Sequence, residues 1–134
     1  MTEMARAASI SIGPVNIRVP PNPSLSRVVR LAASGVASLA DFTVDVIDDI
    51  KIAVSEVLIA LIEHGAGEPV EIEFDVDEDA FTVRGHTATS TFDPTHPDLD
   101  LCRIVLAEVC DSHEIIVADQ RVCIIARVAN TLNG

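Results

Sequence analysis

The chain has 134 residues, 49% of them hydrophobic, and its 21 acidic against nine basic residues give a formal net charge of −12. That is enough chain for one core and far too apolar for a disordered segment, and its charge disfavours nucleic-acid backbones and anionic membranes as partners. Four Phe with no Trp or Tyr leave no aromatic platform on which single-stranded nucleic acid stacks.

Residues 1–8 read as a loosely ordered lead, and 9–130 as one domain. From Ser9, Val15, Ile17 and Val19 alternate with Asn16 and Arg18, which predicts a strand with one buried face, bent at Gly13-Pro14. Asn22 as N-cap with Pro23 at the first helical position predicts a helix running to about Leu39. Within it Gly35 marks a weak point or a close contact. Thr43 caps a second helix, with Asp45, Asp48 and Asp49 near its positive end. Ile47, Ile50, Val54, Val57, Leu58 and Leu61 form its apolar stripe, and it ends near His64, where Gly65 or Gly67 can turn the chain.

Strands dominate the second half. Val70, Ile72, Phe74 and Val76 alternate with Glu71, Glu73 and Asp75, and after an acidic turn at 77–79 the chain returns as a strand over Ala80–Gly85. A loop is expected from His86 to Pro97, a third helix from Asp98 through Cys110, and a hairpin of Glu114–Ala118 and Val122–Val128 around Asp119-Gln120. Helices grouped against a mainly antiparallel sheet predict an α+β two-layer sandwich.

Cys102, Cys110 and Cys123 form no CxxC pair, which suits buried thiols in a reducing cytoplasm. No apolar run approaches the roughly 18 residues of a membrane span, and no stretch has signal-peptide character. The acidic balance implies protein partners with basic patches, or serves only solubility. His86, His96 and His113 with Cys102 match no compact metal motif and read as loop histidines, so no metal is expected.

The segment Asp48-Asp49-Ile50-Lys51-Ile52-Ala53-Val54-Ser55-Glu56 closely resembles the start of the N-box helix of bacterial anti-sigma-factor serine kinases. These belong to the histidine-kinase-like GHKL ATPases with the Bergerat fold. The helix upstream of it, and the VCDSHEI stretch before the last hairpin, extend the resemblance over roughly residues 14–128. The resemblance implies that Glu56 stands at the position of the general base. The family's magnesium-holding asparagine, one helical turn on, corresponds to Ala60, and a methyl group cannot ligate a hard cation. The adenine-binding aspartate corresponds to Gly85 and the next motif glycine to Thr87. The glycine lid corresponds to Asp100, Leu101 and Cys102, with Asp98 nearby, so that carboxylates occupy a helix mouth where a triphosphate would sit.

Glu56 is then either a retained base with a raised pKa or a relic with a structural role, and with alanine at 60 the structural reading is favoured. Arg27 and Arg30 share one face of the first helix, and the resemblance places that face against protein partners; solvated helix arginines are the plain alternative. The implied protein is a homodimeric, cytoplasmic anti-sigma-factor-like regulator. It holds a sigma factor or an anti-anti-sigma (STAS-domain) protein by partner switching, without ATP or Mg2+. The alternative is an active ATP-dependent serine kinase in which Asp93, Asp98 or Asp100 holds the metal. A third possibility is a structural paralogue that only dimerises with a competent kinase.

Overall fold

A computed structural model describes residues 11–130; the lead expected over 1–8, with Ser9 and Ile10, lies outside them. The order is β1 (Ser11–Val19), a 3-10 turn (Pro23–Leu25), α1 (Ser26–Ala37), α2 (Val44–His64), β2 (Val70–Asp77), β3 (Ala80–Ala88), α3 (Asp98–Val109), β4 (Ser112–Ala118) and β5 (Arg121–Ala129). The strands form one antiparallel sheet in the order β1-β2-β3-β5-β4. The architecture is the α+β two-layer sandwich that the element pattern predicts.

Strand alternation decides which face the helices cover. In register across the sheet, Ile17, Ile72, Gly85, Ile124 and Ile115 form one row, and Val15, Phe74, Val83 and Ala126 another. These rows point toward the helices, and Ile72, Phe74, Val83, Ile124 and Ala126 are buried. The intervening rows carry Arg18, Glu71, Glu73, Arg84 and Asp75 on the opposite face. There the Nη1 of Arg84 donates to Oδ2 of Asp75 at 2.9 Å and Arg18 pairs with Glu71 at 3.6 Å. A face laced with partly exposed charge cannot accept a further layer, so the sandwich stops at two.

Helix α2 is the centre of the fold. The Oγ1 of Thr43 accepts the Val46 amide at 3.2 Å, as expected of an N-cap. Ile50, Ala53, Val54, Val57, Leu58 and Leu61 are fully or almost fully buried along the stripe that meets the sheet. The helix rests on β2, β3 and β5, with α1 along one flank and α3 along the other. At its end Gly67 takes φ +78°, the left-handed conformation anticipated for Gly65 or Gly67.

Three boundaries differ from the sequence expectation. Asn22 does cap, its Oδ1 accepting the Ser24 amide at 3.0 Å, but the turn it opens is 3-10, and the α-helix begins at Ser26 and ends at Ala37. The last hairpin is longer at both strands, and Asp119 and Gln120 hold φ of 51° and 60°, the paired positive angles of a tight two-residue connection. The largest difference is at β3. Residues 86–88, expected in a loop, continue the strand, paired as His86–Cys123, Thr87–Val122 and Ala88–Arg121. Partnership with β5, a contact distant in sequence, overrides the local His-Thr-Ala composition.

Gly85 therefore lies inside a buried strand, under α2. A Cβ there would stand 2.7 Å from Cγ1 of Val57, 2.7 Å from Cδ1 of Leu61 and 3.1 Å from Cδ1 of Ile72. The helix comes this close because no side chain intervenes. Gly85→Ala is expected to destabilise the fold by about 1–3 kcal/mol through overpacking. Urea denaturation with an unchanged m-value checks this, and a neutral or stabilising result would contradict it.

Candidate functional site: the outer faces of the central helix

Glu56 sits midway along α2, partly buried, on the side turned away from the sheet. It borders two clefts. One, of about 710 Å³, is lined by Arg30, Asp48, Lys51, Ile52, Ser55 and Glu56. The other, of about 210 Å³, lies between α2 and α3, and Ala60, His64, Leu99 and Cys102 contribute to its wall. Burial pushes the Glu56 carboxyl above its ordinary value, and the nearby Glu63 carboxylate adds to the effect. Among the described residues no hydrogen bond to this carboxylate is found.

The smaller cleft contains the positions that the resemblance assigns to cofactor binding on α2 and α3. Ala60 is buried one turn beyond Glu56 and offers only a methyl group. Helix α3 lies directly on α2 here: Cys102 is buried, and its Sγ is 3.9 Å from the backbone oxygen of Glu56. Burial and the Glu56 charge push this thiol up to about 11, so it stays a neutral packing group. Asp100 is exposed and faces Arg103, Oδ1 to Nη1 at 3.8 Å, while Asp98 is exposed in the same first turn. At about 210 Å³ the cleft falls below the usual range of roughly 300–1,000 Å³ for small-molecule sites.

The other assigned positions are occupied by structural contacts. Gly85 is packed under Val57 and Leu61. Thr87 is buried, and its hydroxyl donates to the Pro69 carbonyl at 2.9 Å, tying the end of β3 to the entry of β2. The following segment is a set of fixed turns: Oδ1 of Asp93 accepts from the Thr95 amide at 2.9 Å and its hydroxyl at 2.6 Å, which holds the Asp93 carboxyl below its ordinary value. Phe92 is buried, edge-on to the His64 ring at 6.3 Å between centroids, and Arg103 donates to the Pro94 carbonyl.

The larger cleft brings together two cations, Arg30 and Lys51. The Nη1 of Arg30 donates to Oγ of Ser55 at 3.4 Å, joining α1 to α2 beside Glu56. Arg27 and Arg30 share a neighbouring hollow of about 170 Å³ with Leu31, Ser34 and Lys51, so the two arginines do stand on one face. Lys51 also pairs with Asp48 at 3.6 Å. The sequence places Arg27 and Arg30 on one face but apart from Glu56, and Lys51 and Ser55, which join them, were missed. The signal was available: 48, 51, 52 and 55 fall on one helical stripe, flanking the buried 50, 54 and 58. The imagined histidine–cysteine group does not assemble. His86 lies on the polar sheet face within 2.5 Å of Nη2 of Arg121, while His113 belongs to β4.

A two-layer sandwich with a long capped helix over an antiparallel sheet, and an acidic residue on its outer side, defines the class. The chain belongs to the Histidine kinase-like ATPase domain family, whose match covers residues 19–114. Among curated proteins it is similar to Serine-protein kinase RsbW of Bacillus subtilis, 36% identical over 91 residues (65% of this chain, 57% of the relative). The RsbW of Bacillus velezensis is 34% identical over 97 residues (69% and 61%), and that of Listeria innocua 34% over 83 residues (59% and 53%). The chain thus spans between about half and three fifths of the length of these relatives. No helix among the described residues is long and apolar enough to cross a membrane.

The raised Glu56 carboxyl has a consequence for stability. Its folded state holds the proton more tightly than the unfolded chain, so the stabilisation is present at low pH. It is lost as pH rises from the ordinary value of 4.5 through the raised one. Glu56→Gln is therefore expected to raise the thermal midpoint at pH 7, with the gain shrinking below pH 4.5. Thermal denaturation of both proteins across this range checks the sign.

Proposed function

We propose that this protein is an anti-sigma-factor-like regulator that works by partner switching and has lost ATP binding and kinase activity. The observation that carries this reading is Gly85, seated against Val57 and Leu61 where the family resemblance calls for an adenine-binding aspartate. An aspartate could enter there only by displacing the Val57 and Leu61 side chains and placing a carboxylate among apolar groups. Ala60 on α2 and the absence of glycine from 86–102 act in the same direction, because neither a magnesium ligand nor a phosphate-wrapping lid is left.

The partner-binding surface in this reading is the α1–α2 face, where Arg27, Arg30 and Lys51 border the same cleft system as Glu56. Three cations on one face of a chain of net charge −12 suit an acidic segment of a sigma factor or of an anti-anti-sigma STAS protein. The regulator is proposed to act in the cytoplasm as a homodimer. The serine-kinase reading keeps one point in its favour: Glu56 has the elevated pKa expected of a base, and the similar RsbW proteins carry the name serine-protein kinase.

Calorimetry with Mg-ATP, paired with affinity capture from the native host, tests the two. The expected result is no micromolar Mg-ATP binding, with a sigma factor or STAS protein captured and its affinity reduced at least about tenfold by Arg30→Ala, as for an interface hot spot. Micromolar Mg-ATP affinity with phosphate transfer to a seryl group of the captured protein would replace this reading with the catalytic one.

A further inference from the structure

We propose a transition-metal site of the zinc type formed by His64, His96 and Asp98, at the junction of α2 and α3. The three residues come from separate pieces of chain: the last residue of α2, the turn after Phe92 and the first turn of α3. Each offers a ligand atom within 4.8 Å of those of the other two. The imidazole rings lie 5.0 Å apart between centroids, and Nδ1 of His96 is 3.8 Å from Oδ2 of Asp98.

The donor set selects the ion. Two imidazoles and one carboxylate suit zinc and its first-row neighbours, whereas magnesium and calcium prefer oxygen alone. Tetrahedral bonds of about 2.0–2.2 Å place ligand atoms roughly 3.3 Å apart, so the present cluster has to contract by no more than side-chain adjustment. The Asp98 side chain is 73% exposed and His96 44% exposed, which leaves both free to make it. Three protein ligands leave a fourth position for water.

The Nδ1 of His96 accepts the Asp98 amide at 3.1 Å, and a ring nitrogen has one lone pair, so an ion held through Nδ1 has to displace that contact. His64 is steadied by Phe92, edge-on at 6.3 Å. A bound ion would staple the end of α2 to the start of α3. It would thereby fix the 86–102 segment over the cleft that contains Ala60 and Cys102. This site does not depend on partner binding, and because His64 and Asp98 also line the cleft beside Ala60, a ligand seated there would compete with the ion.

The test uses the full chain, prepared without a histidine tag and stripped of metal, titrated with ZnCl2 by calorimetry and with Co2+ by absorbance. One equivalent of zinc is expected to bind and to raise the thermal midpoint. Cobalt is expected to give visible d–d bands without the strong near-ultraviolet band of a thiolate ligand. His96→Ala, Asp98→Asn and His64→Gln should each weaken binding at least about tenfold, while His86→Gln, His113→Gln and Cys102→Ser leave it unchanged. His96 and Asp98 are exposed enough for their variants to fold, which circular dichroism verifies. Unaltered affinity in His96→Ala and Asp98→Asn, or binding abolished by Cys102→Ser, would overturn the assignment.

Discussion

The contact between α2 and β3 at Gly85 governs the arrangement of the helix layer. Val57, Leu61 and Ile72 converge on a position with no side chain, closer than any Cβ tolerates. The helix can therefore lie flush on the sheet, and its apolar stripe from Ile50 to Leu61 is almost wholly removed from water. A residue of any size at 85 would tilt or lift that helix, and α1 and α3, which both lean on α2, would move with it. Interiors are packed too densely to absorb such a change locally.

Flush packing on the sheet side forces chemistry to the outer sides of the helix. On one, α3 comes down until Cys102 meets the Glu56 backbone, and the neighbouring turns are held by Asp93, Thr95 and the Arg103–Pro94 contact. On the other, α1 stands off and leaves the larger cleft, bridged by Arg30 and Ser55. Glu56 borders both, half out of water and with Glu63 for company. A carboxylate so placed is costly to the fold, which is a common feature of groups kept for something other than stability.

The sequence was informative wherever local chemistry decided the outcome. Thr43 announces its own helix, the 70–76 alternation announces its strand, and the nine-residue run ending at Glu56 announces the family. It was misleading at 86–88, because a histidine, threonine and alanine opening a Thr-, Ser- and Pro-rich stretch look like loop until β5 arrives to pair with them. It was silent on side chains that converge from distant segments. Nothing near His64 foretells His96, 32 positions away by number, and nothing near Arg30 foretells Ser55. Periodicity describes one element at a time; sites are made between elements.

Motif loss and packing are also different kinds of evidence about a vacated nucleotide site. A missing asparagine at 60 or a missing lid glycine removes a favourable contact, and other oxygen donors can in principle replace it. A filled space cannot be compensated in that way, because a ligand has to displace protein atoms before it gains anything. Thr87 illustrates the point: its buried hydroxyl is committed to the Pro69 carbonyl, so a ligand that claimed it would first have to break that bond. Occupied space beneath and beside α2 thus weighs more than the missing letters, and it directs attention to the surfaces that remain open.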